Sequence, residues 1–141
     1  SELLYDVICA ELEERQIFEK FGTVALVPMP ISDKRRNERG WNQCELLCEE
    51  VKVLDIEGKF KYLPRQLNKI RHTESQTKTA SRRERLENLH DSMLVMHTLS
   101  VKDVCVVLLD DVTTTGATFM EAKRALRNAG ARRIICFALA H

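Results

Sequence analysis

The apolar residues of this chain fall into two spacings, one suited to helices and one to strands. Leu3, Leu4, Val7, Ile8, Leu12 and Phe18 recur close to the helical period, so residues 2–20 are expected to form an amphipathic helix ended by Gly22. Residues 23–27 are a short apolar run stopped by Pro28 and Pro30, which suits a strand. A basic loop should carry the chain to Gly40, after which Asn42 is placed to cap a second helix reaching about Val53. Residues 52–61 are polar and aperiodic. Residues 62–70 read as a second strand, 71–78 as a polar loop, 80–89 as a short charged helix and 93–96 as a short strand. Residues 104–109 are almost wholly aliphatic, the pattern of a strand buried on both faces. They feed a helix over 118–129 whose apolar face is Phe119, Ala122, Leu126 and Ala129. Gly130 ends it, and residues 133–140 form a last strand.

Strands alternating with helices in this order predict an α/β fold: a Rossmann-like, open, mostly parallel sheet with helices on both faces. With 141 residues the chain should form one domain over 1–141, an N-terminal helical segment over 1–22 preceding a core over 23–141. The 44% of hydrophobic residues suffices for a core. Charge changes the picture by what it excludes. Lys and Arg number 22 against 21 Asp and Glu, a formal net charge of +1, so a blanket nucleic-acid coat is not expected, whereas local basic patches are. No apolar run has membrane-spanning length and no signal peptide is visible, so no membrane insertion is expected. Five scattered cysteines, Cys9, Cys44, Cys48, Cys105 and Cys136, are an odd number, and two fall in expected core strands. They suggest reduced thiols and a cytoplasmic location. Cys44 and Cys48 lie four apart on an expected helix but have no further ligand close in sequence, so packing is favoured over a shared metal.

The chemistry concentrates after the aliphatic run. Asp110 and Asp111 sit where that strand should end, at the edge where open α/β sheets gather ligands. Two adjacent carboxylates buried without partners would be costly, so the pair is read as waiting for hydroxyls or a cation. Thr114, Thr115, Gly116, Ala117 and Thr118 then form a small, hydroxyl-rich turn at a helix start. Its backbone amides, the glycine and the helix dipole make a phosphate cradle, although no Gly-Lys-Ser/Thr follows as a Walker A loop would require. The competing reading is an ordinary strand-to-helix turn with a capping threonine.

The run from Val106 to Thr118 resembles the 5-phosphoribosyl pyrophosphate (PRPP) signature of type I phosphoribosyltransferases. The resemblance implies that Asp110 and Asp111 hold the ribose 2′ and 3′ hydroxyls, and that Thr114, Thr115, Gly116, Ala117 and Thr118 wrap the 5′-phosphate. Thr113 stands where an apolar residue is commoner. Further segments narrow the likeness: Val27-Pro28-Met29-Pro30 with Arg39-Gly40-Trp41-Asn42-Gln43, then Gln76-Thr77 with 81–89, then the signature closing at Gly130. In order and spacing they are similar to the late-competence protein F (ComF) family, from about Val24 to the end. That family is linked to DNA uptake and natural transformation. Many members carry an N-terminal zinc ribbon; no Cys-x-x-Cys occurs here, and whether such a ribbon precedes Ser1 is open.

Lys34, Arg35, Arg36 and Arg39 crowd the loop after the first strand. The resemblance makes Arg35, Arg36 and Arg39 pyrophosphate ligands, and guanidinium forks suit diphosphate oxygens; a solvated basic loop is the alternative. Arg39 leads, because Gly40 beside it permits a tight turn. Trp41 either stacks on a base or packs on the sheet, and packing is favoured. Gln76 and Arg82 lie in a polar, basic stretch matching the flexible loop that covers the site in related transferases, a lid that would exclude water. His90, His97 and His141 show no partner pattern. The implied reaction moves a phosphoribosyl group from PRPP to a nucleophile with loss of pyrophosphate. Mg²⁺ is the implied cofactor, held by Asp110 and Asp111 through water or the ribose. A sensor of PRPP or a nucleotide 5′-phosphate, a single-stranded-DNA-binding uptake component within the competence machinery, and a homodimer stay open.

Overall fold

A computed structural model describes residues 2–31, 33–70, 92–112 and 116–140. The N-terminal segment is helical but broken: α1 spans Glu2–Glu14 and α2 spans Ile17–Phe21. The expected continuous helix stops because Gln16 adopts a left-handed φ of 57°, which turns Ile17 into the core at zero exposure. Gly22 ends α2 as expected, its N–H donating to the Phe18 carbonyl.

β1 is Val24–Pro28. Pro28, its last residue, has no N–H to give, and the next amide, Met29 N–H, donates to Leu109 O at 2.8 Å. The expected basic loop is instead a helix, α3, over Asp33–Arg39. Nothing between these residues breaks a helix, and Lys, Arg and Glu favour one. α4 is Gln43–Leu54, capped as anticipated by Asn42, whose side-chain oxygen accepts the Cys44 N–H at 2.9 Å.

The expected strand over 62–70 is two strands in two sheets. β2 is Phe60–Tyr62 and β3 is Leu67–Lys69. Pro64 and a left-handed Arg65 (φ 56°) lie between them and turn the chain out of the main sheet. The polar stretch before β2 is organised by one carboxylate. Asp55 accepts the Lys59 and Phe60 amides, both at 2.8 Å, and an ion pair from Lys52. Burial opposes its charge, but those two amides and the Lys52 ammonium overcome it and hold the carboxyl below its ordinary range. β4 is Met93–Val95, a 3₁₀ turn spans Thr98–Ser100, β5 is Cys105–Val112, α5 is Ala117–Asn128 and β6 is Arg133–Ala140. The loop expected over 71–78 and the helix expected over 80–89 lie outside the described residues.

Four strands form a parallel sheet in the order β2-β1-β5-β6, with Leu26 opposite Val107 and Val107 opposite Ile135. β3 and β4 form a separate antiparallel ribbon. Alternate residues of β1 and β5 serve opposite faces, as the pleat requires. Val24, Leu26, Cys105, Val107 and Leu109 pack with Ile8, Leu12, Ile17, Leu47, Cys48 and Val51 of α1, α2 and α4. Ala25, Val27, Val106 and Leu108 pack with Ala122, Ala125 and Leu126 of α5 and with Leu67 and Met93 of the ribbon. Helices therefore cover both faces, as the alternation implied. The five cysteines are unbridged, four buried and Cys136 half-buried. Among the described residues no helix is long and apolar enough to cross a membrane.

Candidate functional site

Because β1 and β5 are parallel neighbours, Pro28 lies beside Leu109 and both strands end at one edge. β5 runs past the expected end at Leu109, through both acids to Val112, because Asp110 and Val112 still pair with β6. The chain leaving β1 and these acids near the end of β5 share a cleft of about 230 Å³, whose walls include Met29, Arg39, Cys44, Asp110, Asp111 and Thr118. This is the carboxyl edge of a parallel sheet between adjacent strands, where ligands of such folds sit.

Asp110 is only 8% exposed. Its Oδ1 accepts two hydrogen bonds, from the Asp111 N–H at 2.8 Å and from the Cys44 thiol at 3.4 Å. Burial first, and then the adjoining Asp111 carboxyl, push its pKa up to about 6. Burial and the Asp110 charge likewise push the Cys44 thiol far above its ordinary value, so it stays S–H and acts as donor. One ligand atom from each of Cys44, Asp110 and Asp111 lies within 4.8 Å of the others, close enough to share one cation.

Gly116 precedes α5 with a left-handed φ of 75°, and nothing lies within 4 Å of where a Cβ would stand. Any L side chain would be strained there, which accounts for the glycine. Ala117 is buried and opens the helix, and Thr118 beside it lines the cleft. The positive end of the twelve-residue α5 dipole therefore lies next to the acidic pair. Thr114 and Thr115 lie outside the described residues, as do Gln76 and Arg82.

The three candidate arginines separate. Arg39 is exposed and lines the cleft with the acids. Arg36 forks onto Glu45 at 2.7 and 3.0 Å and faces a neighbouring depression of about 360 Å³, beside Arg65 and His97. For Arg35 the backbone lies in α3 and the side chain is outside the description. Trp41, expected to pack, is 52% exposed.

Sequence reasoning missed three cleft residues. Asn42 was legible as a cap, yet its amide also donates to Met29 O at 3.0 Å, tying the start of α4 to the end of β1. Cys44 looked like a packing residue; only the sheet order brings it to Asp110. Lys69, at the end of β3, carried no motif at all, and it brings a cation to the same cleft.

The phosphoribosyl transferase domain family matches residues 58–141. Competence protein F of Haemophilus influenzae is 32% identical over 118 residues, 82% of this chain and 49% of that protein. Competence protein ComFC of Bacillus subtilis is 34% identical over 105 residues, 74% of this chain and 39% of that protein. The Streptococcus pneumoniae ComFC is 32% identical over 137 residues, 97% of this chain and 56% of that protein. The chain thus spans about half the length of the curated relatives it matches. A hypoxanthine phosphoribosyltransferase structure from Staphylococcus aureus superposes with a TM-score of 0.53 at 11% identity, covering 98% of this chain and 63% of that one, a likeness of fold.

Proposed function

The chain belongs to the phosphoribosyl transferase domain family, and from that premise we propose that it binds PRPP, or a nucleotide 5′-phosphate, with Mg²⁺ and transfers the phosphoribosyl group to an acceptor, releasing pyrophosphate. One observation carries the reading. The acidic pair, Thr118 at the start of α5 and Arg39 border a single cleft at the carboxyl edge of the sheet. A phosphorylated pentose needs an acceptor pair for its diol, donors for its phosphate and a cation for its leaving group.

In this reading Asp110 and Asp111 hold the ribose hydroxyls. Gly116, Ala117 and Thr118, with Thr114 and Thr115, hold the 5′-phosphate. Arg39, with Arg35, meets the pyrophosphate, while Arg36 fastens α3 to α4 through Glu45. Gln76 and Arg82 belong to a covering loop. No covalent nucleophile is required, because the transition state resembles a ribosyl cation. The residues need only hold the sugar, orient the acceptor and neutralise the departing charge. The donor set fits Mg²⁺, since the Asp110 and Asp111 oxygens are hard and converge. They would hold the ion through water or the ribose hydroxyls, and its charge, when bound, would offset that of the diphosphate. The competence proteins it resembles extend the proposal to DNA uptake, and the five unbridged thiols support a cytoplasmic site of action.

Calorimetric titration with PRPP and Mg²⁺, followed by a pyrophosphate-release screen over bases, amines and oligonucleotides, tests this. Wild type should bind, and Asp111→Asn should weaken binding at least about tenfold. Equal affinity in the variant removes the acidic pair from the site. Binding without pyrophosphate release from any acceptor would make the protein a sensor instead.

The half-exposed Trp41 beside exposed Arg39 favours a second reading, contact with single-stranded DNA. Stacking on one aromatic contributes about 1–3 kcal/mol per base, and phosphate contacts make binding salt-sensitive. Oligothymidylate affinity should fall steeply with salt and by roughly tenfold in Trp41→Ala. A flat salt response would dismiss the idea.

A further inference from the structure

Asp110 approaches the cleft with one oxygen already committed. An ionised carboxylate oxygen has about two acceptor positions. At Oδ1 both are filled, by the Asp111 N–H at 2.8 Å and by the Cys44 S–H at 3.4 Å. The thiol is itself held in place. Cys44 is 3% exposed, and its N–H donates to Asn42 Oδ1 at 2.9 Å. Asn42 in turn donates to the Met29 carbonyl at the end of β1. A continuous set of contacts thus runs from the residue after β1 through the α4 cap to one oxygen of Asp110, and the Asp110 carboxyl also meets the Asp111 carboxyl beside it.

We propose that Cys44 is a positioning residue for sugar specificity: its S–H pins Oδ1 of Asp110, fixing the carboxyl that, with Asp111, meets a ribose diol, and the site thereby selects ribose over 2-deoxyribose 5-phosphates. This rests on the reading of Asp110 and Asp111 as the holders of the diol. A carboxylate free to rotate would still accept one hydroxyl from either sugar. A carboxylate fixed for two hydroxyls leaves a buried acceptor short when one is missing, and that shortfall is the source of discrimination.

The test measures dissociation constants of ribose 5-phosphate, 2-deoxyribose 5-phosphate and inorganic phosphate by calorimetry with Mg²⁺, for wild type, Cys44→Ala, Cys44→Ser and Cys44→Val. Wild type should favour ribose 5-phosphate. Cys44→Ala should reduce that preference by about tenfold while leaving inorganic phosphate unchanged. Cys44→Ser, which keeps a donor, should retain it. Cys44→Val fills the space without a donor and should behave as alanine does, which covers an alanine variant that fails to fold. A purely packing role would weaken both sugars alike and leave their ratio intact. A wild-type preference that survives in Cys44→Ala or Cys44→Val, or vanishes equally in Cys44→Ser, overturns the role of Cys44 and leaves the parent reading standing. A wild type that binds neither sugar, or both equally, overturns the two together.

Discussion

Asp110→Asn is expected to make the ligand-free protein more stable at pH 7.5 and, on the proposed reading of the cleft, to weaken ribose 5-phosphate binding. The carboxyl of Asp110 titrates near 6 in the folded chain against 3.8 unfolded, because it is buried beside a second acid. Between these values the folded state holds a proton that the unfolded chain has released. Stability therefore falls as pH rises through that window and stays low above it. Asparagine carries no charge to desolvate and keeps an oxygen for the Asp111 amide and the Cys44 thiol. The gain should be on the order of 1–3 kcal/mol at pH 7.5, and it should shrink by more than half at pH 4.5, where wild-type Asp110 is mostly protonated when folded. Urea denaturation in EDTA at the two pH values reads it directly. A variant no more stable than wild type at pH 7.5 would refute the strained-acid account. A residue that costs stability and sits in a cleft is the usual signature of a functional group.

Glu121→Ala should be strongly damaging although it lies outside the apolar core, costing about 2–5 kcal/mol. Glu121, on α5, is 5% exposed and accepts the Met93 N–H at 2.9 Å and the Arg124 guanidinium at 2.6 and 2.9 Å. Arg124 also donates to the Met93 carbonyl at 3.1 Å. Both backbone groups of the first β4 residue are thus gripped by the helix whose start borders the cleft. Alanine would strand a buried amide and remove the anion that faces Arg124. Thermal melts and urea curves at pH 7 would register the loss, and a change within about 0.5 kcal/mol would show the grip to be incidental. The pH dependence runs opposite to that of Asp110. Burial opposes the charge of Glu121, but Arg124 and the Met93 amide outweigh it and depress its pKa. Its contribution is therefore present above the unfolded carboxylate range and lost as pH falls through the folded value, and Asp55 behaves the same way. With Asp110 penalising the alkaline side, the ligand-free protein should be most stable on the acid side of neutrality.

Where a local signal decides the outcome, the amino-acid pattern was enough. The aliphatic run of β5, the Asn42 cap and the stops at Gly22 and Gly130 each depend on a few adjacent residues. Three expectations failed because a backbone conformation decided them: the left-handed Gln16 and Arg65 split a helix and a strand, and α3 formed where a density of charge had suggested a loop. The cleft was half legible. The acids and the turn after them announce themselves through chemistry no core strand needs. Cys44 and Lys69 do not, because Cys44 meets Asp110 across 66 positions and Lys69 arrives on a separate ribbon. Strand order sets such contacts, and short-range periodicity does not encode it.

All five thiols have a pKa raised by burial, Cys105 and Cys136 to about 11 and the rest above their ordinary value. A thiolate is the form that reacts with oxidants and alkylating reagents, and near neutrality it is scarce at every one of these positions. The native cysteines should therefore be chemically quiet, and a sixth, introduced at a solvent-facing position such as Glu38, could carry a fluorophore without first stripping the chain of its own sulfur.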